Sequence, residues 1–305
     1  MNLPLGIALK LASTLAFTAM ASLVKLLDGF PTGQIVFCRS FFAVLPVAFW
    51  LATRGELAAA FRTAHPLAHV RRGLSGSAGM FCGFAALALL PLPDATALSY
   101  AAPLITVVLA ALVLKETIRI YRWSAVLVGF AGVLVMLSPH LSPAGMAANQ
   151  GVLGVGFALA GATFAAFATI QVRLLTRTEA TGTIVLYFSL LASAAGLATS
   201  LLGWKAPGPG EALLLVLIGV TGGVGQILMT QSFRYADASL IASFDYVSMV
   251  WALLVGWIVF AEPPLPAVVA GAGIVAASGI FVIWRERQLG IKRTKTRKAA
   301  TARIT

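Results

Sequence analysis

Residues 5–27 read LGIALKLASTLAFTAMASLVKLL, and residues 153–175 read LGVGFALAGATFAAFATIQVRLL. The two segments align without a gap, and the alignment places Lys25 on Arg173. Further correspondences join Gly73, Gly76 and Gly79 to Gly219, Gly222 and Gly225, Asp94 to Asp237, and Glu116 to Glu262. The chain therefore repeats itself at about half its length, which indicates an architecture built from two related units.

The composition indicates a membrane protein. Of the 305 residues, 59% are hydrophobic and 10% are charged, whereas about a quarter of an average soluble domain is charged. Apolar runs of about 20 residues, each long enough to cross about 30 Å of hydrocarbon, recur along the chain. Because most connections are short, we expect spans that are neighbours in sequence to pack against each other. We predict an all-α membrane protein with ten spans, near residues 4–26, 34–53, 72–91, 95–114, 121–139, 151–173, 182–202, 211–233, 238–260 and 264–284.

The repeat predicts how the two halves are oriented. Each half, 1–143 and 144–284, contains five spans, so the second half enters the membrane from the opposite side. The predicted architecture is an inverted repeat of two five-helix halves around a central cavity, followed by a basic tail at 285–305. This architecture is typical of secondary transporters, whose substrate site lies near the midplane between the halves.

The net charge of +12 is distributed like a set of membrane topology signals. Much of the positive charge follows Trp284, and we assign Arg54, Arg72 and Arg173 to loops together with most of the remaining cations. A cytoplasmic N-terminus puts nearly all loop cations on the cytoplasmic side, so we predict that both termini are cytoplasmic in a bacterial-type inner membrane. We expect contact with anionic lipids and no binding of nucleic acid.

Three segments carry a family pattern: PDATALSYAAPLITVVLAALVLKE (93–116), RWSAVLVGFAGVLVML (122–137) and ASFDYVSMVWALLVGWIVFAEPP (242–264). Together they resemble the EamA-type branch of the drug/metabolite transporter superfamily. The resemblance implies a basket of ten helices around a central cavity, with the fifth and tenth spans at the periphery. Ser243 and Met249 stand where proline is common in the family, so we expect a proline kink at Pro103 in span four rather than one in span nine.

The resemblance also implies a function. Export of amino acids or related metabolites by alternating access is the leading expectation. Uptake of a cofactor-like metabolite, such as riboflavin or S-adenosylmethionine, is the alternative, and a membrane enzyme or scaffold is a remote one. The expected partners are a small-molecule substrate, protons as a candidate coupling ion, membrane lipids, and a second copy of the chain if the protein forms a homodimer.

Polar residues that both halves share are interpreted as serving the fold. Asp94 and Asp237 each open a helix, where a carboxylate caps free N–H groups and suits the positive helix end. Glu262 precedes the last span and is predicted to cap it. Lys25 and Arg173 are predicted to be interfacial anchors whose charges reach opposite membrane surfaces.

Asp245 has no charged counterpart, because its repeat position in the first half is Ser99. A helical period of 3.6 places Asp245 on a stripe of small and polar residues with Ser248, Ala252 and Gly256. The bulky side chains of span nine lie on the opposite stripe, so we expect Asp245 to face the cavity. An ionised carboxylate at membrane depth either belongs to a functional site or forms a structural ion pair.

The candidate substrate-binding residues are polar, charged or adaptable side chains carried at membrane depth. Lys10 and Arg39 are the candidate partners of Asp245, unless their side chains extend to the nearer membrane surface. The two candidate tyrosines either stack on a planar substrate or pack within the protein. The full set is Lys10, Thr14, Arg39, Met80, Ser99, Tyr100, Gln226, Thr230, Asp245, Tyr246 and Ser248.

Motifs of enzymes and ATP-driven pumps are absent from the sequence. The chain has no GxxxxGK phosphate loop. Its histidines, His65, His69 and His140, are predicted to lie in loops, too far apart for a metal site. We therefore expect no cofactor, no metal and no catalytic residues.

Asp245→Asn is expected to reduce transport strongly while the protein still inserts into the membrane. The substitution removes the charge and the proton-accepting group with little change in volume. Flux in proteoliposomes, compared at equal protein content, measures the effect. Wild-type flux in a well-expressed Asp245→Asn protein would remove this carboxylate from the mechanism.

Overall fold

The computed structural model describes residues 3–27, 29–114, 120–139, 149–235, 244 and 247–301. Within these ranges the chain forms only helices and turns, without a strand. The α-helices are α1 (Leu3–Lys25), α2 (Thr32–Thr53), α3 (Pro66–Leu89), α4 (Leu92–Ser99), α5 (Ala101–Leu114), α6 (Ile120–Leu137), α7 (Asn149–Leu175), α8 (Thr181–Leu197), α9 (Pro209–Tyr235), α10 (Val247–Phe260) and α11 (Pro266–Thr301). Two 3-10 helices, Ala59–Phe61 and Ala198–Leu202, precede α3 and follow α8.

The helices agree with the predicted spans. By length and apolar composition, α1, α2, α7, α9 and the continuous unit of α8 with its 3-10 extension can each cross a membrane. Shorter apolar segments lie in α6, α10 and α11, while α4 and α5 together cover the fourth predicted span. The predicted all-α fold is confirmed. α11 continues to Thr301, so its helix includes most of the segment predicted as a separate tail.

The helices of one half pack mainly against helices of the other half. α3 packs along α7, and in the matching arrangement α9 packs along α1. α2 contacts α8, and α6 contacts α11, which are the pairs that a two-fold exchange of the halves predicts. Sequence neighbours such as α2 and α3 also contact each other, as expected, but less extensively than these pairs between the halves. The two repeats therefore form one interlocked bundle.

The fourth span is broken where its proline predicts. α4 ends at Ser99 and α5 begins at Ala101, with Tyr100 between them. Pro103 has no backbone N–H to donate to the carbonyl of Ser99, four residues earlier, and its ring crowds that carbonyl. The kink expected at Pro103 is thus present, and it directs Ser99 and Tyr100 toward the centre of the bundle.

Large apolar side chains cover the outside of the bundle. On α10, Leu254, Trp257 and Ile258 are exposed, while Ala252 and Gly256 are buried. The predicted two faces of span nine are therefore confirmed along this helix. A continuous exposed apolar surface of this kind suits contact with lipid.

Two glycines permit a close crossing of α6 and α11. A Cβ atom on Gly132 would lie 2.8 Å from the carbonyl oxygen of Gly271, and one on Gly271 would lie 3.0 Å from the amide nitrogen of Met136. These obstacles are backbone atoms, which cannot move aside as a flexible side chain can. Small residues at such crossings let membrane helices approach closely. The two helices contact the rest of the bundle less, as expected for peripheral fifth and tenth spans.

Gly271→Ala is expected to destabilise the protein, although alanine favours a helix over glycine by about 1 kcal/mol. The added methyl group forces α6 and α11 apart, and overpacking of this kind costs about 1–3 kcal/mol. Gly273→Ala is the control, because no atom lies within 4 Å of a Cβ at that position. Thermal unfolding in detergent should show a lower midpoint for Gly271→Ala only. Equal midpoints for the two variants would contradict this account of the crossing.

Candidate substrate site

A cavity of about 780 Å³ lies between the two halves. Its walls come from helices of both repeats, chiefly α1, α3, α4 and α5 of the first half and α7 and α9 of the second. Its volume is within the range of small-molecule sites in proteins. The predicted substrate-binding residues that line this central cavity are Lys10, Arg39, Met80, Ser99, Tyr100, Gln226 and Ser248.

The other predicted site residues are not part of the described wall. The Thr14 hydroxyl is buried and donates to the carbonyl of Leu11 at 2.8 Å, and the buried Thr230 hydroxyl donates to the carbonyl of Gln226 at 2.8 Å. Both hydroxyls thus satisfy their own helices, which corrects their assignment to the cavity. Asp245 and Tyr246 lie outside the described residues.

Tyr100 and Ser248 link the two halves across the cavity. The Tyr100 hydroxyl lies 3.0 Å from the Ser248 Oγ, so the broken fourth span is joined to the start of α10. Tyr100 is buried, which favours packing over stacking on a substrate. Ser99 is exposed to the cavity, and its hydroxyl donates to the carbonyl of Thr96 at 2.6 Å.

Gln226, on α9, is one of the residues that line the cavity. The residue is buried, and its Nε2 has no hydrogen-bond partner in the described part of the chain. A buried amide N–H without a partner costs free energy comparable to a lost hydrogen bond. A ligand that accepts a hydrogen bond from Gln226 would remove this cost.

Arg72, which was predicted to lie in a loop, is a cavity residue. It lies in α3, is buried, and lines the cavity. Its guanidinium runs over Gly76, one turn further along the helix, where a Cβ would collide with the Arg72 Nη1. The side chain therefore points into the membrane rather than toward the surface. In the sequence, the glycine one turn after this arginine at a span boundary was the feature that could have indicated an inward-pointing side chain.

Arg173 corrects a second assignment. It was expected to anchor the protein at a membrane surface, but it lines the cavity near the end of α7. With Lys10, Arg39 and Arg72 it gives the wall four cationic residues, and the described lining contains no aspartate or glutamate. Low-dielectric walls strengthen the field of such charges. The described part of the wall thus carries positive charge.

A polar clasp holds together one end of the bundle, where α1 ends. The Lys25 Nζ lies 3.0 Å from the Glu262 Oε1 and donates to the carbonyl of Leu90 at 3.0 Å. The Glu262 Oε2 accepts a hydrogen bond from the backbone N–H of Leu92 at 3.1 Å. Lys25 is thus an ion-pair partner rather than a free interfacial anchor. Glu262 was predicted to cap the last helix, but its carboxylate instead caps the start of α4.

Asp94 occupies the position expected for a scaffold carboxylate. It is buried in the first turn of α4, where the helix dipole favours negative charge. Its repeat counterpart Asp237 and the counterpart of Glu262, Glu116, lie outside the described residues.

Glu179 organises the opposite end of the bundle. Its Oε1 accepts a hydrogen bond from Thr63 at 2.7 Å and lies 3.9 Å from the Nε2 of His69, while its backbone carbonyl accepts from Arg234 at 2.8 Å. His69 is buried in α3, not in a loop as predicted. In the described part of the chain, no group of three or more His, Cys, Asp or Glu side chains could hold a metal ion.

The sequence of both halves matches a known family. A sequence model of the EamA-like transporter family matches residues 4–138 and again residues 152–285. The chain belongs to the EamA-like transporter family. Its members include drug/metabolite transporters, so the protein is a membrane transporter of small molecules and not an enzyme.

Individual relatives differ in cargo and direction. The S-adenosylmethionine uptake transporter of Rickettsia prowazekii (strain Madrid E) is 29% identical over 255 residues, which are 84% of each chain. The pseudopaline exporter CntI of Pseudomonas aeruginosa (strain UCBPP-PA14) is 30% identical over 278 residues, 90% of this chain and 94% of that one. A riboflavin transporter of Vibrio cholerae is 28% identical over 277 residues, which are 89% of this chain and 90% of that one. One solved crystal structure superposes with a TM-score of 0.68 over 90% of this chain and 95% of its own, at 20% identity, and so shares the fold.

Variants of the Lys25–Glu262 pair are expected to destabilise the protein. The two side chains are only 16% and 25% exposed, so removing one partner leaves a poorly solvated charge. Lys25→Met and Glu262→Gln should each lower the free energy of unfolding by about 1–3 kcal/mol. The double variant should lose less than the sum of the single variants, because the two residues interact.

The matched control for this ion pair is Lys205–Glu211, whose side chains are 46% and 36% exposed. Solvent screens such a pair, so Lys205→Met and Glu211→Gln should shift the thermal midpoint less. Strict additivity of Lys25→Met and Glu262→Gln would show that the clasp contributes no coupling.

Gly83→Leu is expected to exclude larger substrates from the cavity. Gly83 lines the cavity, and no atom lies within 4 Å of a Cβ built there, so the new side chain would occupy open space. Counterflow rates should fall more for riboflavin-sized than for alanine-sized substrates. Gly156→Leu is the control, because Gly156 is exposed and equally unobstructed. A size-independent loss with Gly83→Leu would argue against this part of the wall as a substrate contact.

Proposed function

We propose that this protein is a secondary transporter of a small amino-acid-like metabolite, which it carries across the membrane by alternating access. The observation that carries the proposal is the central cavity, whose walls come from both repeats. Its polar and cationic groups are set among apolar residues such as Phe17, Met80 and Leu87. Such a site can hold a molecule with a charged head group and an apolar or aromatic side chain.

The internal repeat suggests how access alternates. Lys25 and Glu262 form the clasp at one end, and they correspond to Arg173 and Glu116 in the repeat alignment. Opening the cavity toward the Lys25 end then requires separating the Lys25–Glu262 pair. From the positive-inside distribution we propose that the Lys25 end faces the periplasm of a bacterial-type inner membrane and that both termini are cytoplasmic.

The direction of net transport depends on the gradients that drive it, because an alternating-access cycle is reversible. Export of amino acids or related compounds is the leading proposal. Uptake is the second candidate, favoured by the similarity to S-adenosylmethionine uptake transporters. Protons are the proposed coupling ion, with Asp245 as the group that would take them up.

Counterflow in proteoliposomes tests the proposal. Vesicles preloaded with an unlabelled candidate should accumulate the same labelled compound transiently, whereas protein-free vesicles should not. The panel contains methionine, phenylalanine, S-adenosylmethionine and riboflavin, and an imposed pH gradient tests coupling. Counterflow of an amino acid or S-adenosylmethionine supports the proposal. Counterflow of riboflavin alone would replace the amino-acid-like substrate with a flavin.

A further inference from the structure

We propose that Arg39 and Arg72 form the docking point for a carboxylate group of the transported substrate. The inference rests on the proposed transport function and specifies which chemical group the cavity recognises. Arg39 comes from α2 and Arg72 from α3, so the two side chains converge from different helices. Both line the central cavity.

Both guanidinium groups meet at one aromatic ring. The Cζ of Arg39 lies 5.4 Å, and that of Arg72 4.0 Å, from the ring centroid of Phe188 on α8. Each contact is a cation–π interaction, which stabilises a charge by about 0.5–2 kcal/mol. Two like charges on one ring repel each other, so the ring alone does not explain why the fold keeps both.

The two arginines are buried without a compensating anion among the described residues. Arg39 is 3% exposed and Arg72 is 4% exposed. The Nε and Nη1 of each have no hydrogen-bond partner in the described part of the chain. The Arg39 Nη2 donates a long bond of 3.4 Å to the carbonyl of Gly222. Burying a charge without a partner is costly, and an anion between the two groups would offset that cost.

A carboxylate is the anion that this arrangement favours. Guanidinium groups bind carboxylates strongly because several N–H donors of fixed, coplanar direction meet the two oxygens. Each of the two arginines keeps two donor positions, Nε and Nη1, without a partner in the described part of the chain. Gln226 lies one turn after Gly222 on α9 and supplies a further unpartnered donor, its Nε2. The cluster thus has donors for both oxygens of one carboxylate, and Phe188 offers a flat surface beside it.

Binding of small anions tests the site without reference to the cargo. Purified protein in nanodiscs is titrated with acetate or with inorganic phosphate at constant ionic strength, and thermal unfolding is followed. Acetate should raise the midpoint of the wild-type protein and of Arg71→Gln, but not that of Arg39→Gln or Arg72→Gln. Arg71 is the matched control, because it neighbours Arg72 and is exposed. Stabilisation by phosphate but not by acetate would overturn the carboxylate assignment.

Matched ligand pairs test the role in transport. L-methionine is compared with L-methioninamide, and S-adenosylmethionine with its decarboxylated analogue, by competition in the counterflow assay. The wild-type protein should prefer the carboxylate by about tenfold or more, as expected for hydrogen bonds to a charged group. Arg39→Gln and Arg72→Gln should reduce this preference to less than about threefold, while Arg71→Gln retains it. An unchanged preference in the Arg39 and Arg72 variants would overturn the proposal.

The two arms separate failure of the site from failure of the substrate assignment. Acetate stabilisation that depends on Arg39 and Arg72, without counterflow of any amino-acid-like compound, would retain the anion site and refute the proposed substrate. If the glutamine variants do not fold, Arg39→Lys and Arg72→Lys replace them in both experiments. Lysine keeps the positive charge but lacks the several coplanar N–H donors of a guanidinium group. A preference for the carboxylate ligand as large as that of the wild-type protein would therefore again contradict the proposal.

Discussion

Each half of the protein buries its packing surfaces against the other half, and the rest of the structure depends on this exchange. α3 lies along α7 and α9 lies along α1, with small residues at the contacts. A Cβ on Gly161 would lie 3.2 Å from the backbone nitrogen of Gly83, so α3 and α7 approach to backbone contact. Because the halves are interlocked, the cavity between them takes its walls from both. A shift of one repeat against the other therefore changes the whole site, as alternating access requires.

The buried charges of the bundle fall into two groups, those with a partner of opposite charge and those without one among the described residues. Lys25 has Glu262 and the carbonyl of Leu90 as partners, so its charge is neutralised and stabilises the helix ends that it joins. Arg39 and Arg72 have an aromatic ring and one long hydrogen bond instead. Charge that is compensated within the protein serves the fold, whereas charge that the described structure leaves uncompensated is available to a ligand. This contrast, rather than the presence of charge, distinguishes the candidate site from its scaffold.

Features that depend on one helix were predictable from the sequence. The small face of α10 follows from the 3.6-residue period, and the break at Ser99 follows from the backbone of Pro103. Features that depend on two helices were not. Arg72 lies at the edge of an apolar run, and hydropathy does not say whether its side chain turns inward or outward. The pairing of Lys25 with Glu262 joins residues far apart in the chain. A helical face also does not fix which of its polar groups reach the cavity, which is why Lys10 lines the wall and Thr14 does not.

The arrangement of charges affects how the transporter, once empty, would return to the conformation in which it binds the next substrate. In the occluded state, water is excluded and uncompensated cations in the cavity become more costly, because the dielectric constant falls. In the proposed mechanism, a bound carboxylate lowers that cost during the loaded half of the cycle. After release, another negative charge must take its place, or the cavity must close without one at a higher free energy. Asp245 lies outside the described residues, but the 3.6-residue period predicts that it shares a stripe with the cavity residue Ser248, and an ionised carboxylate there would suit that task. A carboxylate that compensates the arginines only when no substrate is present would couple release of the cargo to the charge state of Asp245, and hence to protons.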